Sequence, residues 1–171
     1  AAPDGYTVLI HTSALTINPW LSKTTYDAQR DLVIVTRPAE TAYVVAVAAE
    51  NGPTTLDDLV AKLKASPGSP CSTYGIGSPP HLAMEMLEQA AGIDILHVPY
   101  RGIGVALPDL VSGQLRCHMD AGPNVLPHVR SGRLRALAVT SGVPMPNYPG
   151  VPTLVSRYPG VEVGGWQGIF V

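Results

Sequence analysis

The sequence predicts an α/β fold, with helices covering a sheet, and three observations carry that prediction. Short runs rich in β-branched and aromatic residues alternate with segments of helical period, the pattern of strands joined by covering helices. Apolar residues reach 46% and charged residues 14%, against roughly 25% charged in ordinary globular chains, so a packed core is available and disorder is disfavoured. The 17 glycines and 17 prolines among 171 residues imply many short loops, yet stay below the roughly 25–30% that marks low complexity.

Seven strands are expected, at Tyr6–His11, Tyr43–Ala49, Cys71–Tyr74, Ile95–Val98, Arg116–Asp120, Leu134–Thr140 and Gly165–Val171. The opening Ala1–Tyr6 reads as a turn running into the first. Between Thr54 and Ser66, Leu56, Leu59, Val60 and Leu63 recur at helical spacing, with Thr54 or Thr55 as N-cap and Asp57 and Asp58 in the first turn, where the helix dipole favours anions. A second helix starts after Ser78, turns Leu82, Met86, Leu87 and Ala90 inward and ends at Gly92, a residue suited to the left-handed C-terminal position. Shorter helices are expected at Val105–Val111 and Val125–Arg130, followed by Gly113 and Gly132. The proline- and glycine-rich stretch Ser141–Pro159 reads as an ordered loop wrapping over a surface.

Charge excludes several function classes. Eleven Lys+Arg against 13 Asp+Glu give a net charge of −2, so there is no basic footprint for nucleic acid or an anionic membrane. No apolar run approaches the roughly 18 residues that span a bilayer, and no targeting pattern is present. Both ends read as cut, since the chain stops inside the apolar run Ile169-Phe170-Val171. Cys71 and Cys117 lie too far apart for a CxxC motif. Two buried free thiols are the plain reading and a disulfide is the alternative.

The segment Ser72–Leu82 puts a glycine-rich turn between a strand and a helix, where backbone N–H groups converge on an anion. It is neither a Walker A loop nor GxGxxG, so nucleotide binding is disfavoured. A capped turn, with Ser78 as N-cap and Pro79 following it, is the competing reading. Pro79 and Pro80 delete two first-turn donors, so an anion there leans on Gly75, Gly77, Ser78 and His81. The five histidines lack the spacing of a zinc site, and no metal is expected. Asp120 ends a strand, the position beyond which α/β sheets bind ligands, although an Asx turn or helix cap explains it equally. Thr12 and Ser13 follow the first strand, where their hydroxyls could reach a carboxylate or satisfy the loop. No nucleophile with an adjacent base is visible, so a binding protein is favoured over a hydrolase using Ser78 and His81.

The motifs come in a telling order: Asp4-Gly5-Tyr6-Thr7-Val8-Leu9, Ile17-Asn18-Pro19, Tyr26-Asp27, Gly75-x-Gly77-Ser78-Pro79-x-His81-Leu82, His97-Val98-Pro99-Tyr100-Arg101-Gly102, Asp109-Leu110-x-x-Gly113-Gln114, Leu126-Pro127-His128-Val129 and Leu134–Thr140, then Val151-Pro152-Thr153. Across nearly its whole length the chain resembles the extracytoplasmic solute receptors of tripartite tricarboxylate transporters, the Bug receptors. That resemblance implies a two-lobed periplasmic binding protein fold of type II character, here one complete lobe plus part of the other. It implies a small carboxylate captured between the lobes without covalent chemistry or cofactor, then delivered to a membrane permease. By the same likeness, residues 1–43 belong to one lobe, 44–134 form the inserted second, and 135–171 return to the first, with Tyr43–Ala49 and Leu134–Thr140 as crossings. Carried over by position, the ligand-facing residues are Thr12, Ser13, Gly75, Ile76, Gly77, Ser78, His81 and Asp120, and Arg101 is the nearest basic side chain.

The chain departs from the family pattern in three places. Ala14-Leu15-Thr16 precedes Ile17 where a more polar run is common, and Tyr74 stands where small residues are usual, so it narrows the pocket or stacks on an aromatic acid. Cysteines are unusual in these receptors, and in an oxidising compartment Cys71 and Cys117 could pair if their strands are adjacent. A module of the same fold that senses a ligand for a signalling system is the alternative function.

Overall fold

A computed structural model describes residues 6–171; the expected turn over residues 1–5 lies outside them. The elements run β1 (Leu9–Thr12), α1 (Ala14–Leu21), β2 (Ile34–Ala48), α2 (Leu56–Ala65), β3 (Ser69–Thr73), α3 (Pro79–Ala91), β4 (Ile95–Pro99), α4 (Ile103–Val111), β5 (Cys117–Ala121), α5 (Gly122–Arg130), β6 (Leu134–Val139), α6 (Leu154–Arg157) and β7 (Gly164–Phe170). All seven expected strands and all four expected helices are present, with shifted ends, but α3 turns Ala83, Met84, Leu87 and Ala91 inward and leaves the expected Leu82 and Ala90 exposed.

The long strand β2 organises the sheet. Its first part, Ile34–Ala42, pairs antiparallel with β7, which in turn pairs with β1. From Tyr43 onward β2 pairs antiparallel with β5 and β6, and because Val44 is opposite both Asp120 and Val139 the two flank it. Parallel pairing of β3 with β5 and with β4 completes the larger region, in the order β6-β2-β5-β3-β4.

Alternation along β2 sends side chains to two faces. Val45 and Val47 meet Leu59 and Leu63 of α2 and Met84 and Leu87 of α3. Val44 and Ala46 meet Ile103, Ala106 and Leu110 of α4 and Val125 of α5. The α2 start carries a reciprocal capping box between Thr55 and Asp58, and α3 closes on Gly92 at φ 61°.

Three elements exceed the expectation, one of them the single turn α6, capped by Thr153 within the stretch read as loop. The first half of β2 is exposed and polar, so it lacks an alternating apolar signal, and register shifts on either side of Thr36, the second reaching Ala39, let the strand carry Pro38. Helix α1 contains Pro19, which cannot donate to the Leu15 carbonyl four residues back. The Tyr26 hydroxyl donates to that carbonyl instead, at 3.2 Å, so the helix survives its proline.

β6 hydrogen-bonds along Val44–Ala48 and so stays in the larger sheet. The following loop buries Tyr148, Leu154 and Val161 against the same cores, and the chain rejoins the smaller sheet only at Gly164.

Cys71 and Cys117 are directly opposed on parallel strands β3 and β5, with Cα atoms 4.8 Å apart, and form a disulfide. The plain reading of two free thiols is thereby corrected: non-local pairing, invisible in the spacing, puts both sulfurs on one face of the sheet.

Candidate functional site

Where β2 passes from the smaller to the larger sheet, a cleft of about 380 Å³ opens beside the carboxyl ends of β1, β3 and β5, the end of an α/β sheet at which ligands bind. Thr12, Trp166 and Gln167 line it from β1 and β7, Thr41 and Tyr43 from β2, Tyr74 from the loop after β3 and Asn124 from the first turn of α5. Another concavity, of about 350 Å³, lies around Ser69 and Arg116, at the amino ends of β3 and β5.

Thr12 faces Gln167 across the β1–β7 ladder. Next to it, Ser13 donates its backbone N–H to the Trp166 carbonyl at 3.1 Å. The Ser13 side chain is buried and its Oγ has no hydrogen-bond partner, an arrangement that is costly unless a ligand or water completes it.

Asp120 sits beneath the cleft, fully buried. One carboxylate oxygen accepts from the Tyr74 hydroxyl, from Asn124 Nδ2 at 2.9 Å and from the Ala121 N–H at 2.6 Å. The other accepts from the Ile103 N–H at 2.8 Å and bonds His118 Nε2 at 3.1 Å. Burial works to raise its pKa, but hydrogen bonds from His118, Tyr74 and Asn124 outweigh it and hold the carboxyl below its ordinary value. With its acceptor positions filled, Asp120 holds Tyr74 and Asn124, which do line the cleft.

Ser72, His118 and Asp120 form a hydrogen-bonded chain, with Ser72 Oγ 2.7 Å from His118 Nδ1. All three are sealed at 0% exposure, so no substrate reaches the serine and the chain supports Asp120.

The loop Gly75–Ser78 follows Tyr74 directly. Ser78 donates from both N–H and Oγ to the Gly75 carbonyl, at 3.1 and 2.7 Å, and its Oγ accepts from the His81 N–H. Ser78 is therefore an N-cap, and its hydroxyl makes no bond to the His81 ring. Gly77, at φ 80°, packs so closely on α1 that a Cβ there would lie 2.7 Å from Asn18 Oδ1. Ile76 is exposed. His81 turns its ring toward His97, with centroids 4.7 Å apart, and is absent from the cleft lining.

Of the eight candidate residues, the structure puts Thr12 in the cleft, Ser13 beside it, Gly75, Ile76, Gly77 and Ser78 on the adjoining loop, Asp120 beneath it and His81 outside it. Arg101 is exposed and outside the lining. Tyr43, Asn124, Trp166 and Gln167 line the cleft without having been singled out from the sequence; Trp166 carried the one available signal, as a large aromatic among the glycines Gly164, Gly165 and Gly168. No Lys or Arg is in the lining, and its one acidic residue, Glu40, is ion-paired with Arg37. Tyr43 is pushed up to about 12, by burial first and then by the Asp120 charge. Burial and the Asp120 hydrogen bond push Tyr74 up as well, so both phenols stay protonated donors.

Two sheet regions share strand β2, and a cleft lined by polar side chains lies at the crossing. The model of the tripartite tricarboxylate transporter family receptor matches residues 1–171, and the chain belongs to that family. It is 34% identical over 174 residues to Protein BugT of Bordetella pertussis, covering 99% of this chain and 53% of that protein. The solved structure of the periplasmic binding protein BugD superposes with a TM-score of 0.89 at 29% identity, over 100% of this chain and 58% of that one. MatC (Rpa3494) from Rhodopseudomonas palustris with bound malate superposes with a TM-score of 0.84 at 26% identity, over 100% and 60%. The fold is thus that of the periplasmic binding proteins, and the chain spans about half the length of the curated relatives it matches.

Proposed function

We propose that this chain is part of a periplasmic receptor that holds a small carboxylate in the cleft at the β2 crossing and hands it to the membrane permease of a tripartite tricarboxylate-type transporter. In this reading the lobes follow the strand pairing, with residues 6–42 and 164–171 in one and 43–163 in the other, and lobe closure is a hinge motion at the β2 and Val163–Gly164 crossings. Ligand binding proceeds without covalent chemistry.

The observation that carries the reading is the donor set around a cleft with no basic side chain: the Thr12 hydroxyl, the partnerless Ser13 Oγ, the protonated phenol of Tyr43 and the amides of Asn124 and Gln167, beside a Tyr74 phenol whose own proton is given to Asp120. Neutral donors in a half-buried cleft bind carboxylate oxygens directly or through bridging water. The malate bound to MatC supports the same ligand class. The loop Gly75–Ser78 adjoins the cleft and meets α1 through Gly77, a contact suited to register lobe closure.

A thermal-shift screen of mono-, di- and tricarboxylates, aromatic acids and acidic amino acids, on the full-length protein, tests the reading. At about 100 times Kd, a ligand stabilises by roughly 2.7 kcal/mol, a shift of about 5–10 °C. A shift confined to one class of acids supports the proposal. A shift with sugars or amines and none with acids overturns it.

A further inference from the structure

The expectation of no metal rested on scattered histidines, and the fold gathers two of them. His81 and Glu85 are one helical turn apart on α3, so their side chains share a face. His97 lies on β4, beside that face. Glu85 Oε1 is 3.5 Å from His81 Nε2 and 3.1 Å from His97 Nε2. Glu88, one further turn along α3, puts Oε2 3.0 Å from His97 Nε2. Ligand atoms of His81, Glu85 and His97 all lie within 4.8 Å of one another.

We propose that His81, Glu85 and His97, with Glu88 as a fourth donor, form a binding site for a divalent transition-metal cation of the zinc type. A tetrahedral cation with ligands at about 2.0–2.1 Å spaces those ligands about 3.3–3.4 Å apart. Three donor separations here, 3.0, 3.1 and 3.5 Å, bracket that spacing, and His81 and His97 offer ligand atoms within 4.8 Å of each other, so a cation enters by drawing the two imidazoles together. Two imidazoles with carboxylates select zinc and its neighbours over magnesium or calcium, which take all-oxygen sets. The second oxygen of Glu88 accepts from the Ile95 N–H at 3.0 Å, and that bond fixes the carboxylate's orientation. Glu85 is half exposed, at 49%, and leaves a path from solvent.

The competing state is a cluster without metal, in which His97 Nε2 contacts both Glu85 and Glu88. None of the four residues lines the cleft, so the site stands whether or not the cleft binds a carboxylate. A cation there ties the first turns of α3, which begin at the Gly75–Ser78 loop, to β4.

The test titrates metal-free full-length protein with Zn²⁺ against a chromophoric chelator, and separately with Co²⁺. One equivalent of Zn²⁺ should bind, and Co²⁺ should give the intense visible bands of a four-coordinate site with nitrogen and oxygen ligands. His81→Ala and His97→Ala should each weaken Zn²⁺ binding by about 100-fold or more, and Glu88→Gln should weaken it less. Circular dichroism and urea unfolding establish that each variant is folded, and Leu82→Ala, on the neighbouring exposed surface, controls for general disturbance of α3. Absence of stoichiometric Zn²⁺ binding overturns the proposal. So does binding that survives in folded His81→Ala and His97→Ala, which would place the metal on His11 or His128.

Discussion

Tyr74 and Asp120 lie 46 residues apart in sequence and meet at the floor of the cleft, where the phenol donates to a carboxylate that solvent does not reach. This bond joins the loop after β3 to the end of β5 and fixes the aromatic ring that faces the ligand space.

Asp120→Asn replaces an acceptor of five hydrogen bonds with a group that must turn N–H donors toward other donors. Breaking a buried charged network of this kind costs about 3–5 kcal/mol. Tyr74→Phe removes the hydroxyl that donates to Asp120 and accepts from Ala121 and Asn124, but leaves the carboxylate its other donors and should cost less, about 1–3 kcal/mol. Urea unfolding of both variants should give that order.

Because Asp120 has a depressed pKa in the folded state, its contribution is complete above the unfolded carboxyl value of about 3.9 and is lost as pH falls through the lower folded value. His81 is held below its ordinary 6.5, by burial first and then by the neighbouring His97 charge. The unfolded chain therefore takes up the His81 proton first, and stability falls as pH drops below about 6.5 toward the folded value. In chelator-treated protein, His81→Gln should flatten the stability profile over that interval, read by unfolding midpoints from pH 7.5 to 5.

The Cys71–Cys117 bond closes a loop of 46 residues. Chain-entropy arithmetic gives it about 4 kcal/mol. Urea unfolding with and without reductant should show a loss of that order, and Cys71→Ser with Cys117→Ser should match the reduced protein.

Gly165 pairs with Thr41 on β2, and a Cβ there would overlap the Tyr43 hydroxyl. Gly165→Ala should displace that ring, destabilise by about 1–3 kcal/mol and weaken ligand binding, whereas alanine at Gly104, where a Cβ meets nothing, should leave binding unchanged. Unfolding and calorimetry on the two variants make the comparison.

What could be read from the sequence divides by range. Helices α2 and α3 announce themselves through local signals: the Thr55–Asp58 capping box, the Leu56-Leu59-Val60-Leu63 spacing, and Ser78 and Gly92 at the ends. Helix α1 is hidden because Pro19 reads as a break, and the Tyr26 hydroxyl that rescues it comes from outside the helix. The exposed half of β2 is polar and carries Pro38, so only its pairing with β7 makes it a strand. In the site, Thr12 and Ser13 follow from their place after a strand, while Trp166 and Gln167 reach the cleft through the β1–β7 register, a non-local fact. The same holds for His97, which meets His81 only because β4 pairs beside β3.

The central claim is that neutral donors at the β2 crossing hold a carboxylate, and calorimetric titration of the full-length protein tests it most directly. The acid identified by thermal shift should bind 1:1, and Thr12→Val, Ser13→Ala and Asn124→Ala should each weaken it by about tenfold, the effect of removing one hydrogen bond to a charged group. A carboxylate that binds 1:1 with undiminished affinity in all three folded variants would contradict the account.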